Sequence, residues 1–122
     1  MKRCMIVDDS SVIRKVAKRI LTGPEMMVVE ASTGTQALDM CMVQMPDIIV
    51  VDGGLTDMTT VEFIRQAVAI PAVIRPRVMI CLPQFDLGAI MRAKRAGAAG
   101  YVLKPFNRSQ LLERFRQFQA AA

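Results

Sequence analysis

The sequence predicts a doubly wound α/β domain, a five-stranded parallel sheet with helices on both faces, spanning residues 1–122. Two observations carry this. Five short apolar runs alternate strictly with five helical patterns, and such βαβα order needs right-handed crossovers and therefore parallel strands. Apart from the second run, the strand segments show little polar alternation, as befits strands covered on both faces.

The first strand is "CMIVD" at 4–8, and the helix after it is "SVIRKVAKRIL" at 11–21. That helix places Val12, Ile13, Val16, Ala17, Ile20 and Leu21 on one face and Arg14, Lys15, Lys18 and Arg19 on the other, with Gly23 and Pro24 as its stop. The second strand is "MMVVEA" at 26–31, followed by a helix from Thr35 to Met45 that ends near Pro46. The third strand is "DIIVVD" at 47–52. Thr59, with Glu62 three residues on, opens the third helix as a capping box, and Val61, Ile64, Ala67 and Val68 form its expected buried stripe. The fourth strand is "RVMICL" at 77–82, and its helix runs from Asp86 to Ala96 and stops at Gly97. The fifth strand is "GYVLK" at 100–104. Asn107 and Gln110 then make a capping pair for a helix that buries Leu111, Leu112, Phe115 and Phe118.

Composition narrows the chemistry. With 52% apolar residues the chain can bury a core and is not a disordered one. Its length fits one domain, with no internal repeat or linker. Neither a signal peptide nor a run of about 20 apolar residues is present, so no membrane insertion and a cytoplasmic location are expected. Cys4, Cys41 and Cys81 lie inside apolar runs without metal-type spacing and read as reduced core thiols. Histidine is absent, which excludes a Ser-His or Cys-His nucleophile on this chain. The charge is polarised: residues 1–64 carry −3 and residues 65–122 carry +8. An anionic partner suits the second half. Nucleic acid is not expected, because aromatics are few and no reading motif accompanies the cations.

The strand ends hold the functional candidates. The first strand ends in Asp8-Asp9, the third in Asp52 and the fifth in Lys104-Pro105. In the flavodoxin-like order 2-1-3-4-5, these ends can converge at one crevice, where ligands of such sheets sit. Like charges about 4 Å apart repel by about 4 kcal/mol at an effective dielectric near 20, so something must make the adjacent placement of Asp8 and Asp9 tolerable.

"VDDS" after the first strand, "VVDGGL" after the third, "AGAAGY" before the fifth and "KPF" after it resemble a response-regulator receiver domain of the CheY-like type. The resemblance covers the whole chain and implies a stand-alone module of two-component signal transduction rather than an enzyme with a turned-over substrate. It implies Mg²⁺ as cofactor, bound by Asp8, Asp9, Asp52 and the backbone carbonyl of Gly54, with Asp9 as the direct ligand and Asp8 acting mainly through water. Asp52 would be the nucleophile toward a phosphoryl group from a histidine kinase, a phosphotransfer protein or a small phosphodonor. Lys104 would neutralise charge on the transferred oxygens. The Lys104-Pro105 bond is expected to be cis, at Pro105. The implied output surface is that of the fourth helix, fifth strand and fifth helix, where Arg92, Lys94, Arg95, Arg108, Arg114 and Arg116 accumulate, and its target is a downstream protein with an acidic face.

The chain also departs from the family. Counting from Asp52 and Lys104 places Leu82 where receivers carry a Thr or Ser, with Cys81 as the alternative at a slip of one; neither supplies a good hydroxyl. Tyr101 matches the aromatic switch position. Thr56 stands where a proline is typical and Thr60 where a glycine is, while Gly54 and Gln84 occupy the positions expected to influence hydrolysis. The missing hydroxyl motivates an alternative, a degenerate receiver that binds a protein partner independently of phosphorylation. An aspartyl phosphatase is disfavoured because Gly54 stands where its second carboxylate would be. A nucleotide-binding domain is disfavoured by the lack of either phosphate-loop motif.

Overall fold

The computed structural model describes residues 1–120, with side chains described through residue 117. The elements are β1 (Lys2–Val7), α1 (Ser11–Leu21), β2 (Met26–Ala31), α2 (Gly34–Val43), β3 (Ile48–Asp52), α3 (Thr60–Ala69), β4 (Arg77–Leu82), α4 (Leu87–Ala96), β5 (Gly100–Leu103) and α5 (Arg108–Ala120). The strands form one sheet in the order β2-β1-β3-β4-β5, and every pairing is parallel. This is the flavodoxin-like order expected from the sequence.

Alternation along the strands divides the interior in two. Met5, Val7, Ile49, Val51, Val78, Ile80 and Leu82 face α2, α3 and α4, where they meet Ala37, Cys41, Phe63, Ile64, Ile90 and Ala93. Cys4, Ile6, Ile48, Val50, Met79, Cys81 and Val102 face α1 and α5, where they meet Ala17, Leu21, Leu111 and Phe115. Each fully buried aliphatic contributes about 1.5–3 kcal/mol relative to exposure, which is why β1, β3 and β4 are apolar on both sides. The three cysteines are buried and unpaired, as expected of core thiols.

Two helix faces differ from expectation. On α1, Val12 and Val16 are exposed, and Ile13, Ala17 and Leu21 carry the contact with the sheet. A helix resting on a sheet edge buries a narrower stripe than the pattern suggests, and Arg14 folds back to donate to Glu30 at 3.1 Å. On α3, Thr60, Phe63, Ile64 and Ala67 are buried and Val61 is only half-buried. Thr59 caps α3 by accepting from the Glu62 amide, whereas the Glu62 carboxylate turns to Gln66. The second helix begins one residue earlier than expected and ends at Val43, because Thr33 is its N-cap and Gln44 its C-cap. Gly97 closes α4 at φ 125°, a conformation that suits glycine alone. The expected burial of Phe118 lies outside the described side chains.

Candidate functional site

β1 and β3 are neighbours in register, Val7 opposite Val51, so Asp8 just beyond β1 and Asp52 at the end of β3 emerge side by side. Asp8, Asp9 and Asp52 each place a carboxylate oxygen within 4.8 Å of the others. Asp8 and Asp52 are buried and Asp9 is exposed. Lys104 follows β5 and reaches over the end of β4, setting its Nζ 2.9 Å from Asp52 Oδ1 and 3.1 Å from Asp8 Oδ2. Burial opposes the ammonium charge, but the hydrogen bonds to Asp52 and Asp8 and the field of both carboxylates outweigh it and raise its pKa. Lys104 thus offsets part of the repulsion between Asp8 and Asp52 from within the chain.

The local sequence fixes each group. Ser10 caps α1, and its amide donates to Asp8 Oδ1 at 2.9 Å, while Arg14 donates to the Asp8 carbonyl at 2.7 Å. The Gly54 amide donates to Asp52 Oδ1 at 3.3 Å, and the Thr60 hydroxyl donates to the Asp52 carbonyl at 2.7 Å. The Lys104 amide donates to the Leu82 carbonyl at 2.8 Å, the Lys104-Pro105 peptide is cis, and Phe106 behind it is buried. The donor set of the cluster is oxygen only, which fits a hard cation such as Mg²⁺ and not a thiophilic metal. Both Asp8 oxygens already accept from Ser10 and Lys104, which leaves Asp9 and Asp52 the freer carboxylates.

The remaining candidates separate by face. Cys81 pairs with Asp52 in register but turns into the α1/α5 side of the core, where burial pushes its thiol up to about 12. Leu82 turns to the opposite side and packs into the α2–α4 core. Its side chain sits against Gly53: a Cβ there would lie 2.6 Å from Leu82 Cδ2. Tyr101 is half-buried between Phe85, an edge-on neighbour at 5.8 Å, and Arg114, whose guanidinium lies 4.1 Å over the ring and whose Nε donates to the Tyr101 carbonyl.

The family model of the response regulator receiver domain matches residues 4–116. The chain belongs to this family. Its receiver sequence is 28% identical to the chemotaxis protein CheY of Thermotoga maritima over 113 residues, covering 92% of each chain. It is 30% identical to CheY of Bacillus subtilis, covering 91% of this receiver and 92% of that protein. Among solved structures, chemotaxis protein CheY4 of Vibrio cholerae superimposes with a TM-score of 0.82 at 26% identity, covering 97% of this receiver and 98% of that chain. Receivers are phosphoacceptors of two-component systems and interact with histidine kinases and downstream effectors. Among the described residues of this one, no helix is long and apolar enough to cross a membrane.

Three residues of the receiver site are not evident from sequence alone. Gly53 makes room for Leu82, and the pairing could have been suspected from a bulky residue at the fourth strand end coinciding with a glycine after Asp52. Thr60, which stands where the family has a glycine, is buried and holds the Asp52 backbone. Asp57 accepts from Gly34 and Thr35 at the start of α2, a partner no local pattern announces.

Proposed function

We propose that this receiver accepts a phosphoryl group on Asp52 and thereby changes how it binds a downstream protein. The observation that carries the reading is the convergence of Asp8, Asp9 and Asp52 with the Lys104 ammonium 2.9 Å from Asp52 Oδ1. An Asp52 carboxylate oxygen attacks phosphorus, the bond from phosphorus to the donor breaks, and its electron pair leaves with the donor, the imidazole of a kinase or phosphotransfer histidine. Lys104 sits where it can neutralise charge on the transferred oxygens, and such positioned charge is most of what phosphoryl transfer needs. Mg²⁺, when bound by Asp9, Asp52, the Gly54 carbonyl and, through water, Asp8, would neutralise the same oxygens as a Lewis acid. Asp8 orients Lys104, and Ser10 orients Asp8.

The proposed output surface joins α4, β5 and α5. Phe85, Leu87, Met91 and Leu103 are exposed there, with the exposed cations Arg92, Lys94 and Arg95 on α4 and Arg108 at the start of α5, whereas Arg116 lies on the other side of α5, beside Leu21 and Met26. A groove of about 490 Å³ between β5 and α5 is lined by Tyr101, Leu103, Lys104, Glu113 and Arg114. Apolar anchors ringed by cations suit an acidic protein face. The complete acidic cluster and its lysine give the phosphorylation-independent alternative no support.

Incubation with acetyl phosphate, read by intact mass, tests the proposal. One phosphoryl adduct is expected, lost with chelator and lost in Asp52→Asn. Labelling of Asp52→Asn, or labelling indifferent to chelator, would refute it.

A further inference from the structure

The loop from Gly53 to Thr59 contains Gly53 and Gly54 and has Thr56 where a proline would stiffen it. It is tethered from another element. Asp57 Oδ1 accepts from the Gly34 amide at 3.0 Å, and Oδ2 accepts from the Thr35 amide at 2.9 Å and the Thr35 hydroxyl at 2.7 Å. Those amides belong to the first turn of α2, whose N–H groups have no partner within the helix. The first turn of α2 holds no acidic residue of its own, so Asp57 brings the negative charge its N-terminus favours. The Thr35 hydroxyl and the two amides hold the exposed Asp57 carboxyl below its usual range. Next to it, Met58 lies so close to Gly34 that a Cβ there would be 2.9 Å from Met58 Sδ. Thr33 already caps α2 through the Gln36 amide, so the Asp57 contact is an additional link between this helix and the loop.

We infer that Asp57 is a positioning residue for the cation site: by clamping the loop to α2 it holds the Gly54 backbone at the acidic cluster and so sets divalent-cation affinity. This rests on the receiver reading of Asp8, Asp9 and Asp52. Groups one step removed from metal ligands commonly govern affinity by orienting them. The coupling is reciprocal, so a bound cation slows exchange of the Gly34 and Thr35 amides.

The test is Mg²⁺ titration calorimetry on the full chain, with amide exchange at Gly34 and Thr35 followed by NMR. Asp57→Ala should weaken Mg²⁺ binding about tenfold, and Asp57→Asn, which keeps an acceptor oxygen and serves should the alanine variant not fold, by less. Thr33→Ala loosens the same helix end but leaves the tether intact, and should keep the wild-type affinity. Equal affinity in wild type and both Asp57 variants would overturn the inference alone, as would equal weakening by Thr33→Ala, which would mark a general loosening of α2. A wild-type chain that binds no Mg²⁺ would overturn the receiver reading and this inference with it.

Discussion

The Leu82 side chain occupies the space a side chain at Gly53 would need, with Leu82 Cδ2 2.6 Å from where a Cβ would stand. Leucine at the end of β4 and glycine after Asp52 are therefore one steric unit. Gly53→Ala should cost about 1–3 kcal/mol, the usual penalty of overpacking. Shortening Leu82 to Ala in the same chain should recover part of that, leaving the double variant about 1 kcal/mol more stable than the sum of the single losses. Urea denaturation of the four proteins checks this; strict additivity would contradict it.

Leu82 offers no hydroxyl to a phosphoryl group on Asp52, and its side chain points into the core. A modification shifts a two-state equilibrium only by its differential interaction with the two states, and the missing bond removes roughly 1.5–3 kcal/mol of it. Beryllofluoride should therefore move the Tyr101 NMR signals little in wild type and more in Leu82→Thr. Large wild-type shifts that the threonine does not increase would show another switching route.

Lys104→Ala removes the cation shared by two buried carboxylates. Without Mg²⁺ the variant should lose about 3 kcal/mol, within the range for breaking a buried pair. Mg²⁺ should still bind, at least as tightly, and should raise the melting temperature more than in wild type, while the response to phosphorylation is poor. Thermal melts with and without Mg²⁺ measure both effects.

Arg92 and Arg95 are exposed on α4. Reversing both to Glu should slow association with an acidic target, and the wild-type on-rate should fall as salt rises, as expected of steering by exposed charge. Stopped-flow kinetics across a salt series distinguishes this from an apolar contact, which would be indifferent to salt.

Burial pushes the Cys41 thiol up to about 11 and Cys81 up to about 12, from an ordinary value of 9.0, and raises Cys4 further. Above pH 9 the unfolded chain releases these protons while the folded one keeps them. Unfolded protein then binds fewer protons, so stability falls as pH rises, by up to about 1.4 kcal/mol per pH unit for each thiol. The raised pKa of Lys104 acts in the same direction at higher pH. Urea midpoints should drop between pH 8 and pH 10, and less so in Cys41→Ala.

The sheet order and the convergence of Asp8, Asp52 and Lys104 were legible because both follow from strand-length apolar runs and from what stands at their ends. The buried face of α1 was not: Val12 and Val16 obey the helical period yet face solvent, while Arg14, read as solvent-facing, bends under to Glu30 and the Asp8 carbonyl. On α3 Phe63 is buried and Val61 only half-buried; neighbouring apolar residues on a helix leave the direction of its stripe open by a large part of a turn. The Asp57 tether joins residues 22 and 23 positions apart, and nothing in either segment names the other.

Tyr101, held between Phe85 and the Arg114 guanidinium, is the single tyrosine of a chain that has no tryptophan. Its fluorescence therefore arises from one ring three residues before Lys104, free of overlap from any other phenol or indole. The molecule carries a built-in optical probe at the junction of its acidic cluster and its basic face, and events at either side can be followed without attaching a dye.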